Sequence, residues 1–240
     1  MYLKLLKVDV SNVNSIEQIP YLPIEIFKSR TVQVGNANAP LVFKSSGTTD
    51  SIRSKHFINE PSVYELAFTK GFNYFYGSPE KYVILGLLPS YLQQGDSSLV
   101  YMTDHLIKQS ENELSGFYLD ESDKLTEVLQ QCVGQQLPTI FLGVTYALID
   151  FAELHPMNLG EVIVMETGGM KGRRNEMIRK EVHALLKNSF NVQEIHSEYG
   201  MTELLSQAYS TGGGIFHTPP WMKISFRENT DPIYSNYSLT

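Results

Sequence analysis

The run "GEVIVMETGGMKGRRNEMIRKEVHALLKNSFNVQEIHSEYGMTE", Gly160 to Glu203, decides the fold. "EVIVMET" is an apolar segment that reads as a strand and ends in a glycine turn. A strongly amphipathic stretch then reads as a helix, and "FNVQEI" reads as a second buried strand. Strands alternating with helices at this spacing argue for a mostly parallel sheet with helices on its faces. Tyr199, Gly200, Thr202 and Glu203 then fall near the C-terminal end of the second strand. Ligands of open α/β sheets bind in the crevice at that end.

The same alternation runs upstream. "KYVILGLLP", Lys81–Pro89, is a short continuous apolar run ended by proline, as expected of a strand buried on both faces. "SSLVYMTDHLIKQ" reads as a strand and then a helix. "GFYLDESDKLTEVLQQCV" repeats the pattern, with Asp120 or Ser122 as helix cap. "LPTIFLGVTYALIDFAELH", Leu137–His155, reads as a buried strand turning at Gly143 into an apolar helix. Pro61–Tyr76 spaces Val63, Leu66, Ala67 and Phe75 as a helix would. "TVQVG" reads as a short strand, and "PLVFKSSGTTD" as a strand entering a Gly/Thr/Ser loop. Beyond Glu203 come the β-like pieces "LSQAYS", "GIFH" and "WMKISFR". Residues 1–40 are irregular, and the two prolines of "IPYLPIEIFKS" suggest an apolar clasp laid on a main domain of residues 41–240. One domain fits better than two.

The chain has 240 residues, 42% hydrophobic and 19% charged, which suffices for a real core. A net charge of −7 with no basic run argues against nucleic acid as partner. Cys132 is the only cysteine, so no internal disulfide can form. No apolar run is long enough for an ordinary membrane-spanning helix. The expectation is a cytoplasmic protein.

Three stretches could carry chemistry, and each has a plainer reading. "SSGTT", Ser45–Thr49, offers amides and hydroxyls around a glycine, a concave anion site, or else a surface turn. It is neither a Walker loop nor a dinucleotide fingerprint. Gly168, Gly169 and Met170 let a ligand approach the backbone, or else make a tight strand-to-helix turn. In Ser197–Glu203, Tyr199 can stack on a flat ring, Thr202 can donate to phosphate and Glu203 can hold Mg²⁺. The alternative there is a helix start capped by Ser197 or Thr202.

Taken in this order, the three stretches resemble the adenylate-forming superfamily. The series "IPYLPIEIFK", "FKSSGTT", "LLPSYL", "METGGMKGRR", "HSEYGMTE" and "PPWMK" resembles more closely its acyl-protein synthetase (LuxE-like) branch. The resemblance implies the large N-terminal domain of an adenylate-forming enzyme, with ATP and Mg²⁺ as cofactors. By resemblance, Ser45, Ser46, Gly47, Thr48 and Thr49 would embrace the ATP phosphates. Gly168, Gly169 and Met170 would form one wall of an adenine slot and Tyr199 the other, with Gly200 and Met201 beside it. Thr202 would contact the α-phosphate and Glu203 would bind Mg²⁺. Strand ends facing the same crevice suggest Tyr91, Phe141, Gly143, Val144 and Tyr146 for the acyl chain.

The implied function is ATP-dependent activation of a carboxylic acid, expected to be fatty, as acyl-adenylate for transfer to a thiol. That thiol would sit on a partner protein, a carrier protein or CoA. The alternatives are an aryl- or acyl-CoA ligase and a nucleotide-binding domain without turnover. Asp50 stands where the superfamily usually has glycine. The ribose-binding aspartate, the C-terminal lid with its lysine and the family's acyl-carrying cysteine are not found, so the expectation is a truncated chain. Cys132 reads as a buried, inert thiol. His56 and His196 read as hydrogen-bonded structural histidines, because a carboxylate ionised at pH 7 needs no base. Lys171, Arg173 and Arg174 form a basic cluster that could meet phosphate or a carrier, or be a solvated helix face.

Overall fold

The computed structural model describes residues 4, 6–35, 38–46, 52–89, 95–168 and 177–226. β1 (Leu41–Lys44) and β2 (Lys55–Ile58) pair antiparallel as a hairpin. The main sheet is built from β3 (Val83–Leu87), β4 (Gly116–Phe117), β5 (Thr139–Val144), β6 (Ile163–Thr167), β7 (Ile195–Tyr199) and β8 (Ala208–Ser210). Its order is β4-β3-β5-β6-β7-β8, parallel throughout except for the antiparallel β8. The described α-helices are α1 (Ile26–Ser29), α2 (Pro61–Tyr76), α3 (Ser98–Ser110), α4 (Ser122–Gly134), α5 (Thr145–Leu154) and α6 (Arg179–Phe190). This is an α/β fold, a mostly parallel mixed sheet flanked by helices.

Every residue of β3 and β5 is buried, which is why both read as unbroken apolar runs. Parallel register pairs Glu166 with Ser197 and Thr167 with Glu198. Successive side chains of a strand face opposite sides. Ser197 Oγ lies 3.5 Å from His183 Nε2 of α6, whereas Glu198 faces the cleft that Tyr64 of α2 also lines. So α6 and α2 cover opposite faces. On the α6 face, Phe141 of β5 meets Phe151 of α5 at 5.6 Å and Phe190 of α6 at 6.0 Å between ring centroids.

Several elements differ from the sequence reading, each for a local reason. "SSLV" is no strand: Ser97 caps a helix by accepting from the Val100 amide, and α3 runs unbroken from Ser98. In α2 the buried stripe is Tyr64, Phe68 and Phe72, while Val63 and Leu66 are exposed. Both stripes satisfy a helical period, and the aromatic one buries more area. Gly143 lies inside β5, and α5 follows directly from Thr145. β7 begins only at Ile195, so "HSEY" forms the strand itself rather than its sequel. Residues 31–35 form no strand, α4 is entered through Glu121 without a side-chain cap, and β2 was not anticipated. In the expected N-terminal clasp, Pro20 is buried and Phe27 meets the His56 ring edge-on at 5.4 Å. Cys132 is fully buried, and burial raises its thiol pKa.

Gly143 shows how tightly β5 and α5 meet: a Cβ there would stand 2.7 Å from Leu148 Cγ and 3.1 Å from Leu87 Cβ. Gly143→Ala is expected to lower stability by about 1–3 kcal/mol in urea denaturation. In a Leu148→Ala background the same change should cost measurably less, giving a coupling the double-mutant cycle can read.

Candidate functional site

A cleft of about 250 Å³ opens where β5, β6 and β7 end. Its lining draws on Lys44–Ser46 at the end of β1, on Thr167–Gly168 and on Gly200–Glu203. Leu88, Pro89 and the first turns of α3 complete it. Three separated sequence motifs therefore meet in one concavity.

The mouth is braced by the β1–β2 hairpin. The Ser45 amide donates to Ser54 O at 3.1 Å, and the Ser54 amide donates to Ser45 Oγ at 2.9 Å. Ser54, fully buried, also donates its hydroxyl to Glu203 Oε1. His56 Nδ1 bonds to Thr202 O at 2.8 Å, so two contacts tie the hairpin to the 202–203 segment. The Arg53 fork donates to the Ser45 and Lys44 carbonyls and reaches the Asp96 carboxylate, which also pairs with Lys44 Nζ at 3.2 Å. Burial would raise the Asp96 carboxyl, but Lys44 and Arg53 hold it below its usual range.

The floor is polar and buried. Glu198 is buried, accepts a hydrogen bond from the Thr167 hydroxyl and lines the cleft. Burial, reinforced by the charge of Glu166, pushes its pKa up to about 7 against the Thr167 hydrogen bond. Gly200 lies close beside it: a Cβ there would stand 2.6 Å from Glu198 Oε1, so a larger residue would have to shift the carboxylate tip. Gly168 turns the chain out of β6 at a φ of +76°, a conformation that favours glycine. Gln207 Nε2 donates to Tyr64 Oη at 3.3 Å, and Tyr64 donates to Ser98 O at 3.1 Å. Gln207 Oε1 is buried and finds no partner among the described residues.

The other face of the same strand ends holds the opposite arrangement. Glu166 accepts from Thr145 Oγ1 at 2.8 Å and lies 3.6 Å from His183 Nε2 and 3.5 Å from Arg179 Nε. Burial would raise its pKa, but hydrogen bonds from His183, Ser197 and Thr145 and the charge of Arg179 bring it below the ordinary value. Tyr199 projects on this face, 43% exposed, its ring 6.0 Å from that of Phe216. The Arg179 guanidinium lies over the Phe216 ring, 4.9 Å from its centroid.

No family model and no curated protein matches the chain. The site is therefore read from its own geometry. Of the sequence-stretch candidates, Ser45, Ser46, Gly168, Gly200, Met201, Thr202 and Glu203 line the cleft. Ser45 is occupied in bracing the hairpin, while Ser46 is exposed. Tyr199 stands at the cleft's edge on the opposite strand face and is not part of its lining. Gly47, Thr48, Thr49, Asp50, Tyr91, Gly169, Met170, Lys171, Arg173 and Arg174 lie outside the described residues. Among the acyl-chain candidates Val144 lines the cleft. Phe141 and Gly143 point into the α5 packing, and Tyr146 is buried without lining the cleft. His196 Nδ1 bonds to Tyr76 Oη at 3.1 Å, so both histidines are hydrogen-bonded and half-buried. Burial lowers the pKa of each.

Sequence reading missed Lys44, Ser54, Glu198 and Gln207. Lys44 had a signal, since it immediately precedes the serine loop on a strand. Glu198 had one too, as a carboxylate within the His-Ser-Glu-Tyr run that follows an apolar stretch. The buried orphan at Gln207 had none.

A carboxyl held near pH 7 makes stability pH-dependent with a fixed sign. Unfolded, Glu198 titrates near the ordinary 4.5; folded, near 7. Between those values the native state holds a proton that the unfolded state has lost, so stability falls as pH rises across the window. Glu198→Gln should remove that fall and gain on the order of 1–3 kcal/mol at pH 8, with little gain at pH 4. Urea melts of both proteins across pH 4–8 would check it.

Proposed function

We propose that the chain is an adenylate-forming domain that activates a carboxylic acid with ATP for transfer to a thiol. The observation that supports the reading is the convergence of Lys44–Ser46, Thr167–Gly168 and Gly200–Glu203 on one cleft at the strand ends. Each segment offers what such chemistry needs: hydroxyls and a cation for phosphate oxygens, a glycine for close backbone approach, and a carboxylate. The aromatic ring of Tyr199 stands just outside, on the side where a purine could lie against it.

In the reaction, a carboxylate oxygen of the acid attacks the α-phosphorus of ATP. A P–O bond forms, the bond to pyrophosphate breaks and pyrophosphate leaves. A thiolate then attacks the acyl carbon, and AMP departs. Two anions must be held together while charge grows on phosphate, so fixed donors and orientation carry much of the work. Lys44 and Ser46 would meet phosphate oxygens, and Thr202 would donate to the α-phosphate. Glu203 suits Mg²⁺: one of its oxygens takes the Ser54 hydroxyl, and a single carboxylate with substrate phosphates is the usual donor set for that ion. When bound, Mg²⁺ would offset phosphate charge as a Lewis acid. Ser54 and His56 hold Glu203 and Thr202 in place before substrate arrives.

Acid-dependent exchange of labelled pyrophosphate into ATP tests the reading, and absence of exchange with every acid tried would sink it. With a responsive acid, Glu203→Gln should lower exchange by about 10²-fold. Tyr199→Ala should raise the KM for ATP about tenfold while leaving the KM for the acid nearly unchanged.

A further inference from the structure

We propose that the acid taken by this cleft is short and carries a hydrogen-bond donor, an amino or hydroxyl group, received by Glu198 with Gln207 beside it. The inference rests on the carboxylate-activation reading and narrows its substrate class away from plain alkyl acids.

Strand alternation separates the two ends of the site. Tyr199 and Glu198 are neighbours in β7, so their side chains project to opposite faces. A ring lying against Tyr199 therefore does not reach Glu198. The carboxyl and the Gln207 amide belong instead to the cleft that Ser46 and Thr202 also line, where the acid's own body would sit.

That floor is unsuited to an alkyl tail. It is closed by Tyr64, Met102 and Val144, all buried, and the cleft among the described residues is about 250 Å³. Pockets enclosing drug-sized ligands run to roughly 300–1,000 Å³. Its acceptors are also left wanting. The Tyr64 hydroxyl already donates to Ser98 O, so its oxygen can only accept, and the Gln207 Nε2 must face it. The Gln207 Oε1 is thereby fixed as the unpartnered end of the amide. One oxygen of Glu198 takes the Thr167 hydroxyl, and the other lies against Gly200 at the cleft wall. The Gln207 Oε1 is already shut off from water without a partner, so methylene groups would leave that cost standing while a donor on the ligand would relieve it. A site built around buried acceptors rejects analogues lacking the donor far more strongly than an apolar pocket rejects a changed methylene.

The test uses a straight-chain short acid, its terminal hydroxy analogue and its terminal amino analogue. Each is assayed on the full chain by pyrophosphate exchange and by calorimetry with ATP and Mg²⁺. The hydroxy or amino acid is expected to exceed the alkyl acid about tenfold or more in both measurements. Gln207→Leu should reduce that preference. The isosteric Glu198→Gln, read alongside in case the leucine variant does not fold, should weaken the amino acid more than the hydroxy acid. An alkyl acid that performs as well as its analogues overturns the inference and leaves activation standing. Donor-dependent binding without any exchange supports the inference and overturns activation. A protein that neither binds nor exchanges any of the three overturns both.

Discussion

The hydroxyl of Thr167 donates to Glu198 across the ends of β6 and β7, and the shape of the cleft depends on that bond. It holds a buried carboxyl at the floor instead of letting it turn out to water. Around it a Cβ at residue 200 would crowd the carboxylate tip, Gly168 takes a positive φ, and Tyr64 finds its hydrogen bonds in Ser98 and Gln207. Alternation then sets Glu166 on the far face, one position back on the neighbouring strand. There His183, Thr145 and Arg179 surround it. Two carboxyls at adjacent strand ends thus titrate in opposite directions from their ordinary values, one driven by burial and one by its partners. Pairs separated in this way are a frequent mark of functional sites.

The hairpin supplies what the sheet alone cannot. A parallel sheet ends in loops, and loops lose conformational entropy when they are ordered. Here the loop's base is ordered before any ligand binds. Arg53 clamps two carbonyls of the entering strand, Ser54 and Ser45 exchange hydrogen bonds, and Ser54 and His56 reach across to Glu203 and Thr202. Groups that must meet a phosphate together are fixed relative to one another, so less of that cost falls on binding. Asp96 balances Lys44 and Arg53, which keeps two cations side by side at the mouth without leaving them to repel each other.

Much of the architecture was legible because burial on both faces leaves an unmistakable signature. "KYVILGLLP" and "LPTIFLG" contain no polar face, and both are central strands. The helices were legible as helices but not always by their faces, since 61–76 offers two stripes at the same period and the aromatic one won. Ser97 turned an apparent strand into a helix through one capping bond, a signal easily lost beside "SLVY". At the site, the three motifs were legible because each holds glycine or hydroxyl residues in a tight run. The residues that join them were not. Ser54 matters through Glu203, which is 149 residues away, and Gln207 through Tyr64, which is 143 away. Pairings at such separation leave no local trace in a single sequence.

The misplaced boundary of β7 has the same cause as the cleft. A strand entirely covered by helices should be apolar, so "HSEY" reads as the point where the strand has ended. It continues because Ser197 and Glu198 are satisfied: one meets His183, the other Thr167. Burying them costs desolvation that a leucine or valine would not, and such a replacement would let the sheet pack more cheaply. A polar pair retained within a buried strand, at the end where the crevice opens, departs from the pattern that stability alone would favour. Departures of that kind concentrate at functional sites. The residues that made the strand hard to read are therefore the same ones that make its end worth reading as a binding surface.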